Sequence, residues 1–163
     1  MAKMGSFDSS GLKKLQQNLN KVQEAKVNAF CEACARELAA RLLAKVIKRT
    51  PVGDYPKGSG KKGGTLRRGW TSQKGSGSEG LNTKGAAQFV DTLKVNHYGN
   101  TYVIEIVNPV EYASYVEYGH RTANHKGWVK GQFMMTISEQ ELEQIAPKVL
   151  EQRLKDFLGG AFQ

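Results

Sequence analysis

The dipeptide Gly99-Asn100 constrains this chain more than any other feature. Flanked by strand-forming runs, such a pair is a two-residue hairpin turn, because glycine takes a positive φ without steric cost. A turn there sets the register: Tyr98 opposite Thr101, His97 opposite Tyr102, Val95 opposite Ile104 and Leu93 opposite Ile106. One face then gathers Leu93, Val95, His97, Tyr102, Ile104 and Ile106. The other carries Thr92, Lys94, Asn96, Val103 and Glu105, with Lys94 and Glu105 expected as a cross-strand ion pair. A slip of one residue would turn the apolar set into water, so the pairing is well specified. The hairpin is expected within the stretch that begins at Phe89 and to end at Asn108-Pro109, since proline cannot donate to a ladder. Beyond it, Tyr112, Tyr115, Val116 and Gly119 follow i, i+3, i+4, i+7 spacing, one face of a short helix closed by glycine.

Helical periodicity frames this hairpin on both sides. Asp8, Ser9 and Ser10 offer N-caps for a stripe of Leu12, Leu15, Leu19 and Val22, continued by Phe30, Cys34, Leu38, Leu42 and Val46. With no proline before Pro51, the segment predicts either one rod of about 60 Å or two helices broken near Asn18 to Asn20. Cys31 and Cys34 form a CxxC string in mid-helix, away from the helix N-terminus that would activate a thiol. A zinc site would have to recruit His120 and His125, so small buried thiols are the better reading. Toward the end, Ser138 and Glu141 read as a capping box that opens a helix with Leu142, Ile145, Val149, Leu150, Leu154, Phe157 and Leu158 on its apolar side. Pro147 predicts a kink or division near Ala146, and Gly159-Gly160 a stop.

Composition matters most between residues 45 and 75. Nine Lys or Arg stand there against Asp54 alone, which is +8 of the chain's net +9. The middle, GDYPKGSGKKGGT, is too polar to bury a core and reads as a long flexible loop, and GSGSEGLNTKGAA from Gly75 reads the same way. Leu66 and Trp70 look like an anchor returning to the core between the two. The charge serves either as a solubilising surface or as a basic arm for a polyanion, with Lys57, Lys61, Lys62, Arg67 and Arg68 as the contact residues. The glycine-lysine string lacks the spacing of a phosphate-binding loop. No Gly-x-Ser-x-Gly, no oriented histidine and no metal-ligand set is visible, so no catalytic residue, metal or cofactor is expected. A small hydrolase using Cys31 or His120 lacks the geometry. The 163 residues suit one domain: helix over 1–49, basic loop region over 50–88, hairpin and short helix over 89–119, loop and helix over 120–163. No apolar run reaches the ~18 residues of a membrane span, and the N-terminus lacks a secretory pattern. Both point to a soluble, intracellularly made α+β protein with two long helices on an antiparallel hairpin sheet.

These pieces resemble a family of tailed bacteriophages, the gene-product-ten-like neck and tail-completion proteins. Thr50-Pro51-Val52 after a long helix, then Gly64-Thr65-Leu66-Arg67-Arg68-Gly69-Trp70, is similar to the family pattern T-P-x-D-T-G-x-L-R-x-S-W. Tyr112-Ala113, Tyr115-Val116-Glu117 and Gly119 match Y-A-x-Y-V-E-x-G-T, and Phe133-Met134 follow before the last helix. The resemblance covers roughly residues 25–158. Two departures stand out: the loop after Pro51 is longer and more basic, and His120 replaces the family's threonine. The resemblance implies a virion structural protein rather than an enzyme. It implies a ring at the head–tail junction of a phage or tail-like particle, assembled in the bacterial host cytoplasm. Adjoining neck or tail-tube proteins would be its partners, DNA would pass through the lumen, and phage-tail symmetry suggests six copies. The rival reading is a basic DNA-binding protein unrelated to virions, but no recognition helix with clustered Arg, Asn or Gln is visible.

Overall fold

The structure is a computed structural model and describes residues 10–71 and 85–161. Asp8, Ser9, Lys74 and most of the second glycine-rich patch lie outside these residues. Among the described residues nine elements follow in order: α1 (Ser10–Arg49), α2 (Thr65–Gly69), α3 (Ala86–Thr92), β1 (Asn96–Tyr98), β2 (Thr101–Val103), α4 (Ala113–Tyr118), β3 (Gly119–Arg121), β4 (Trp128–Lys130) and α5 (Met134–Ala161). The architecture is α+β, as the sequence implies. Its sheet component is two separate antiparallel hairpins, β1–β2 and β3–β4.

α1 is one unbroken helix of 40 residues, so the break near Asn18 to Asn20 does not occur. Its second half supplies Ala39, Leu43, Val46 and Ile47 to the core, where they meet Leu66, Trp70, Ala86, Val90 and Met134. α5 lies antiparallel beside α1. Lys45 Nζ donates to Glu141 Oε2 at 2.8 Å, Arg49 also pairs with Glu141, and Arg153 pairs with Glu37. Farther along, the rings of Phe30 and Phe157 lie 4.5 Å apart. Hydrogen bonds from Lys45 and Arg49 hold Glu141 below the usual carboxylate range, and the bond from Arg41 does the same for Glu37. A carboxyl depressed in the folded state stabilises the fold above its unfolded value, and loses that contribution as pH falls through the folded value. Thermal stability is therefore expected to drop between about pH 5 and pH 3, with a smaller drop in high salt. A melting temperature flat across that window would show that the α1–α5 pairs contribute nothing.

The hairpin register is the expected one: Asn96 faces Val103, His97 faces Tyr102 and Tyr98 faces Thr101. Positive φ falls on Gly99 and not on Asn100, the pattern of a turn with glycine at its first central position. The ladder is shorter than expected, and Phe89–Thr92 is helix rather than strand. Ala86 and Val90, one turn apart, both bury against α1, and Arg36 Nη1 donates to the carbonyls of Val90 at 2.8 Å and Leu93 at 3.0 Å. A cation from α1 thus satisfies the C-terminal carbonyls of α3. The ladder of β2 ends at Val103: Leu93, Lys94 and Val95, its expected continuation, connect α3 to β1 without strand pairing, and no Lys94–Glu105 ion pair forms. Side chains nevertheless keep alternating to Ile106: Tyr102, Ile104 and Ile106 are half-buried, while Val103 and Glu105 are exposed. His97 and Tyr102 lodge the hairpin on α1 through Glu32 at 2.9 Å and Asn28 at 2.6 Å. Because Ile104 is half-buried, Ile104→Ala should cost about 1–2 kcal/mol in denaturant unfolding, below the 2–5 of a full core site. A loss under about 0.5 kcal/mol would mean this face makes no core contact.

α5 also departs from expectation at both ends. It begins at Met134, four residues before Ser138, whose buried hydroxyl donates to Met134 O at 2.6 Å inside the helix. The expected capping box is therefore absent. The helix runs through Pro147 without dividing and continues past Gly159-Gly160 to Ala161. Cys34 is buried and Cys31 half-buried, both free, and burial pushes the Cys34 thiol up. Among the described residues no helix is long and apolar enough to cross a membrane.

Candidate functional site

The basic segment and the two motif stretches converge at the C-terminal end of α1. Thr50 is fully buried there. Its hydroxyl donates to Val46 O at 2.7 Å and accepts the indole N–H of Trp70 at 2.7 Å. Its carbonyl accepts Arg67 Nη2 at 2.6 Å and Arg67 Nε at 3.1 Å. One threonine thus ends α1 and ties it to α2 through two side chains. Leu66 and Trp70 are both buried, which is the return to the core that their apolar character predicts. Asn108 Nδ2 donates to Leu66 O at 2.9 Å and so brings the end of the hairpin strand onto the same knot.

Between Pro51 and Gly64 the chain forms an exposed loop without helix or strand. Its ends touch: a Cβ on Gly63 would lie 2.0 Å from Gly53 O, so only glycine permits that closure. Lys57, Lys61 and Lys62 are exposed on this closed loop and form no ion pair among the described residues; Lys61 Nζ sits 6.0 Å from the Tyr55 ring centre. Arg68 donates to Gly63 O at 3.2 Å and braces the loop's base. The five basic residues read from the sequence therefore divide. Arg67 and Arg68 hold backbone, whereas the three lysines point their charge outward. Lys45 and Arg49, which contributed to the same charge count, are bound to Glu141. A cleft of about 330 Å³ separates loop from α4, lined by Pro51, Tyr55, Lys62, Gly64, Tyr112 and Val116.

The second motif stretch lies on α4. Glu117, 6% exposed, is the carboxylate that caps α5: Met135 N–H donates to Oε2 at 2.9 Å, and the N–H and hydroxyl of Thr136 donate to Oε1 at 2.9 and 2.7 Å. The Glu117 carbonyl accepts Phe133 N–H at 3.0 Å, and Val116 O accepts Gln132 N–H at 2.8 Å. A buried anion at a helix N-terminus is favourable because orphan donors and the helix dipole both face it. Sequence reasoning missed this role, because the capping residue precedes its helix by 17 positions rather than three. The Y-V-E and F-M spacing was the only signal. Around Glu117 the side chains do the opposite. Tyr112, Tyr115, Tyr118 and Trp128 are all exposed, with the Tyr115 ring 5.8 Å from that of His120. Ala113 and Val116 instead pack against the core, and Gly119 ends α4 with φ 87°.

Among the described residues no group of three His, Cys, Asp or Glu could hold a metal ion. What the geometry offers is a rigid knot, a closed cationic loop and an exposed aromatic face. Residues 13–119 match the model of the family described as "Bacteriophage HK97-gp10, putative tail-component". The match ends at Gly119, so almost all of β3–β4 and the whole of α5 lie beyond it, although the resemblance read from the sequence extended to 158. No curated protein and no solved structure matches the chain.

Proposed function

Because the chain belongs to the HK97-gp10-like family of phage tail components, we propose that it is a neck or tail-completion subunit. It acts as a single domain that joins copies of itself, six by analogy with phage-tail symmetry, into a ring at the head-proximal end of a tail or tail-like particle. The role is structural and non-enzymatic, and the site is the virion. Adjoining neck or tail-tube proteins stack on the ring, and DNA passes through its lumen.

The observation that carries this reading, beside the family match, is the division of labour among the basic residues. Thr50, Leu66, Arg67 and Trp70 build the knot, and it presents Lys57, Lys61 and Lys62 on a loop whose ends are closed. Lysines are point charges on flexible stems, suited to phosphates in no fixed sequence, whereas base reading favours the planar fork of arginine. Repeated around a ring, three free lysines per subunit would repel one another unless an anion offset them. DNA in the lumen supplies that anion.

Replacing Lys57, Lys61 and Lys62 with Gln tests this. Rings are expected to form normally, while particles built with the variant leak or fail to retain DNA severalfold more than the parent. Failure of assembly in the variant, together with assembly of the parent that weakens as salt rises, would place the lysines against an acidic face of the adjoining ring. Unchanged assembly and unchanged retention would reduce the loop to a solubilising surface.

A further inference from the structure

α1 is longer than anything it packs against. Its pairing with α5 is antiparallel: Glu141 meets Lys45 and Arg49, Arg153 meets Glu37, and Phe157 meets Phe30. α5 ends four residues after Phe157, opposite about Lys26, so the preceding part of α1 runs on alone for roughly 25 Å. Every side chain described between Lys14 and Val27 is exposed. The segment is not simply polar. Leu15 and Val22, seven apart and therefore on one face, are each 54% exposed. Lys26 continues that face one turn on, and Lys14 and Lys21 flank it, while Glu24 sits on the far side.

A second uncovered apolar stripe lies on α5. Leu150, Leu154 and Leu158, at i, i+4 and i+8, are 37%, 45% and 44% exposed. Glu143 stands two turns before Leu150 on the same face, and Glu151 one turn before Leu154. Of the cations of this helix, Arg153 is bound to Glu37, Lys155 pairs with Glu151 at 2.6 Å, and Lys148 lies around the barrel from the leucines. One stripe is apolar with basic flanks, the other apolar with Glu143 and the Glu151–Lys155 pair along its edge. A straight helix cannot fold back onto α5 of its own chain, because α5 has already ended where the arm begins.

We propose that the projecting arm of α1, through Leu15 and Val22, docks on the outer face of α5 of a second copy, over Leu150, Leu154 and Leu158. This is the head-to-tail contact that closes the ring, and it rests on the ring reading above. The contact joins two different surfaces, so each subunit gives an arm to one neighbour and receives one from the other. Amphipathic helix on apolar groove supplies affinity, and Lys14, Lys21 and Lys26 against Glu143 and Glu151 supply direction.

The full-length chain tests it with two variants, Leu15→Glu/Val22→Glu in the arm and Leu154→Glu/Leu158→Glu on the α5 face. Circular dichroism and thermal melting establish that each is folded; both pairs are exposed in the subunit. By light scattering each variant alone should have the mass of one 18.0 kDa subunit. An equal mixture should give twice that mass and no more, because one intact arm then meets one intact face. Should the glutamates disturb folding, Lys14→Glu/Lys21→Glu/Lys26→Glu replaces the first variant, and Glu143→Lys/Glu151→Lys should restore its assembly. A variant that assembles like the parent, or a mixture that stays monomeric, overturns the contact while leaving the ring intact as a reading. A parent chain that is itself monomeric under assembly conditions overturns both.

Discussion

Trp70→Ala should lower the unfolding free energy by about 3–5 kcal/mol, the range for a large aromatic removed from a core. The indole is buried among Leu66, Leu43 and their neighbours, and its N–H is the donor to Thr50 Oγ1 at 2.7 Å. Truncation opens a cavity and frees the hydroxyl that ends α1. Trp70→Phe separates the two effects, since it retains most of the ring volume and removes only the donor; a loss of about 1–2 kcal/mol is expected. Denaturant midpoints at constant m-value measure both. A loss below about 1 kcal/mol for the alanine variant would mean that the knot does not hold α2 to α1.

The second large effect is expected at Glu117. Glu117→Ala leaves the N–H groups of Met135 and Thr136 without their acceptor at a partly buried helix start. A cap contributes about 1 kcal/mol and a hydrogen bond to a charged group about 1.5–3, so a total near 2–4 kcal/mol follows. Glu117→Gln keeps the shape and one oxygen, but turns an amide N–H toward donors, and should lose about half as much. Amide hydrogen exchange locates the effect: protection should fall first in the opening turn of α5. Uniform loss across the protein, with that turn unaffected, would assign Glu117 a general packing role instead.

Both residues belong to the motif stretches through which the family is legible, and both act inside the subunit. Thr50, Leu66, Arg67, Trp70 and Glu117 are accounted for by burial and hydrogen bonds. Tyr112 and Tyr115, from the same stretches, stay exposed. Pattern resemblance treats these two groups alike, because spacing along the chain does not report which side of a short helix faces the core. Nor did charge counting separate them: among the described residues Lys45, Arg49, Arg67 and Arg68 turn their charge inward to neighbours, whereas Lys48 and the lysines of the closed loop stay exposed.

The sequence by itself determined what depends on near neighbours. Gly99-Asn100 set the hairpin register because a two-residue turn leaves no other pairing for Tyr98, His97 and Asn96. The absence of proline and the spacing of apolar residues between Ser10 and Arg49 made one long helix available. Tertiary structure decided what depends on distant partners. Phe89–Thr92 became helix because Arg36, more than fifty residues earlier, satisfies its C-terminal carbonyls while Val90 buries against α1. α5 starts at Met134 rather than Ser138 because α4 delivers the Glu117 carboxylate to its first turn. Local hydrogen bonds and side-chain periods are written within a few residues, whereas a donor's acceptor in the folded chain is chosen by which segment the core brings beside it.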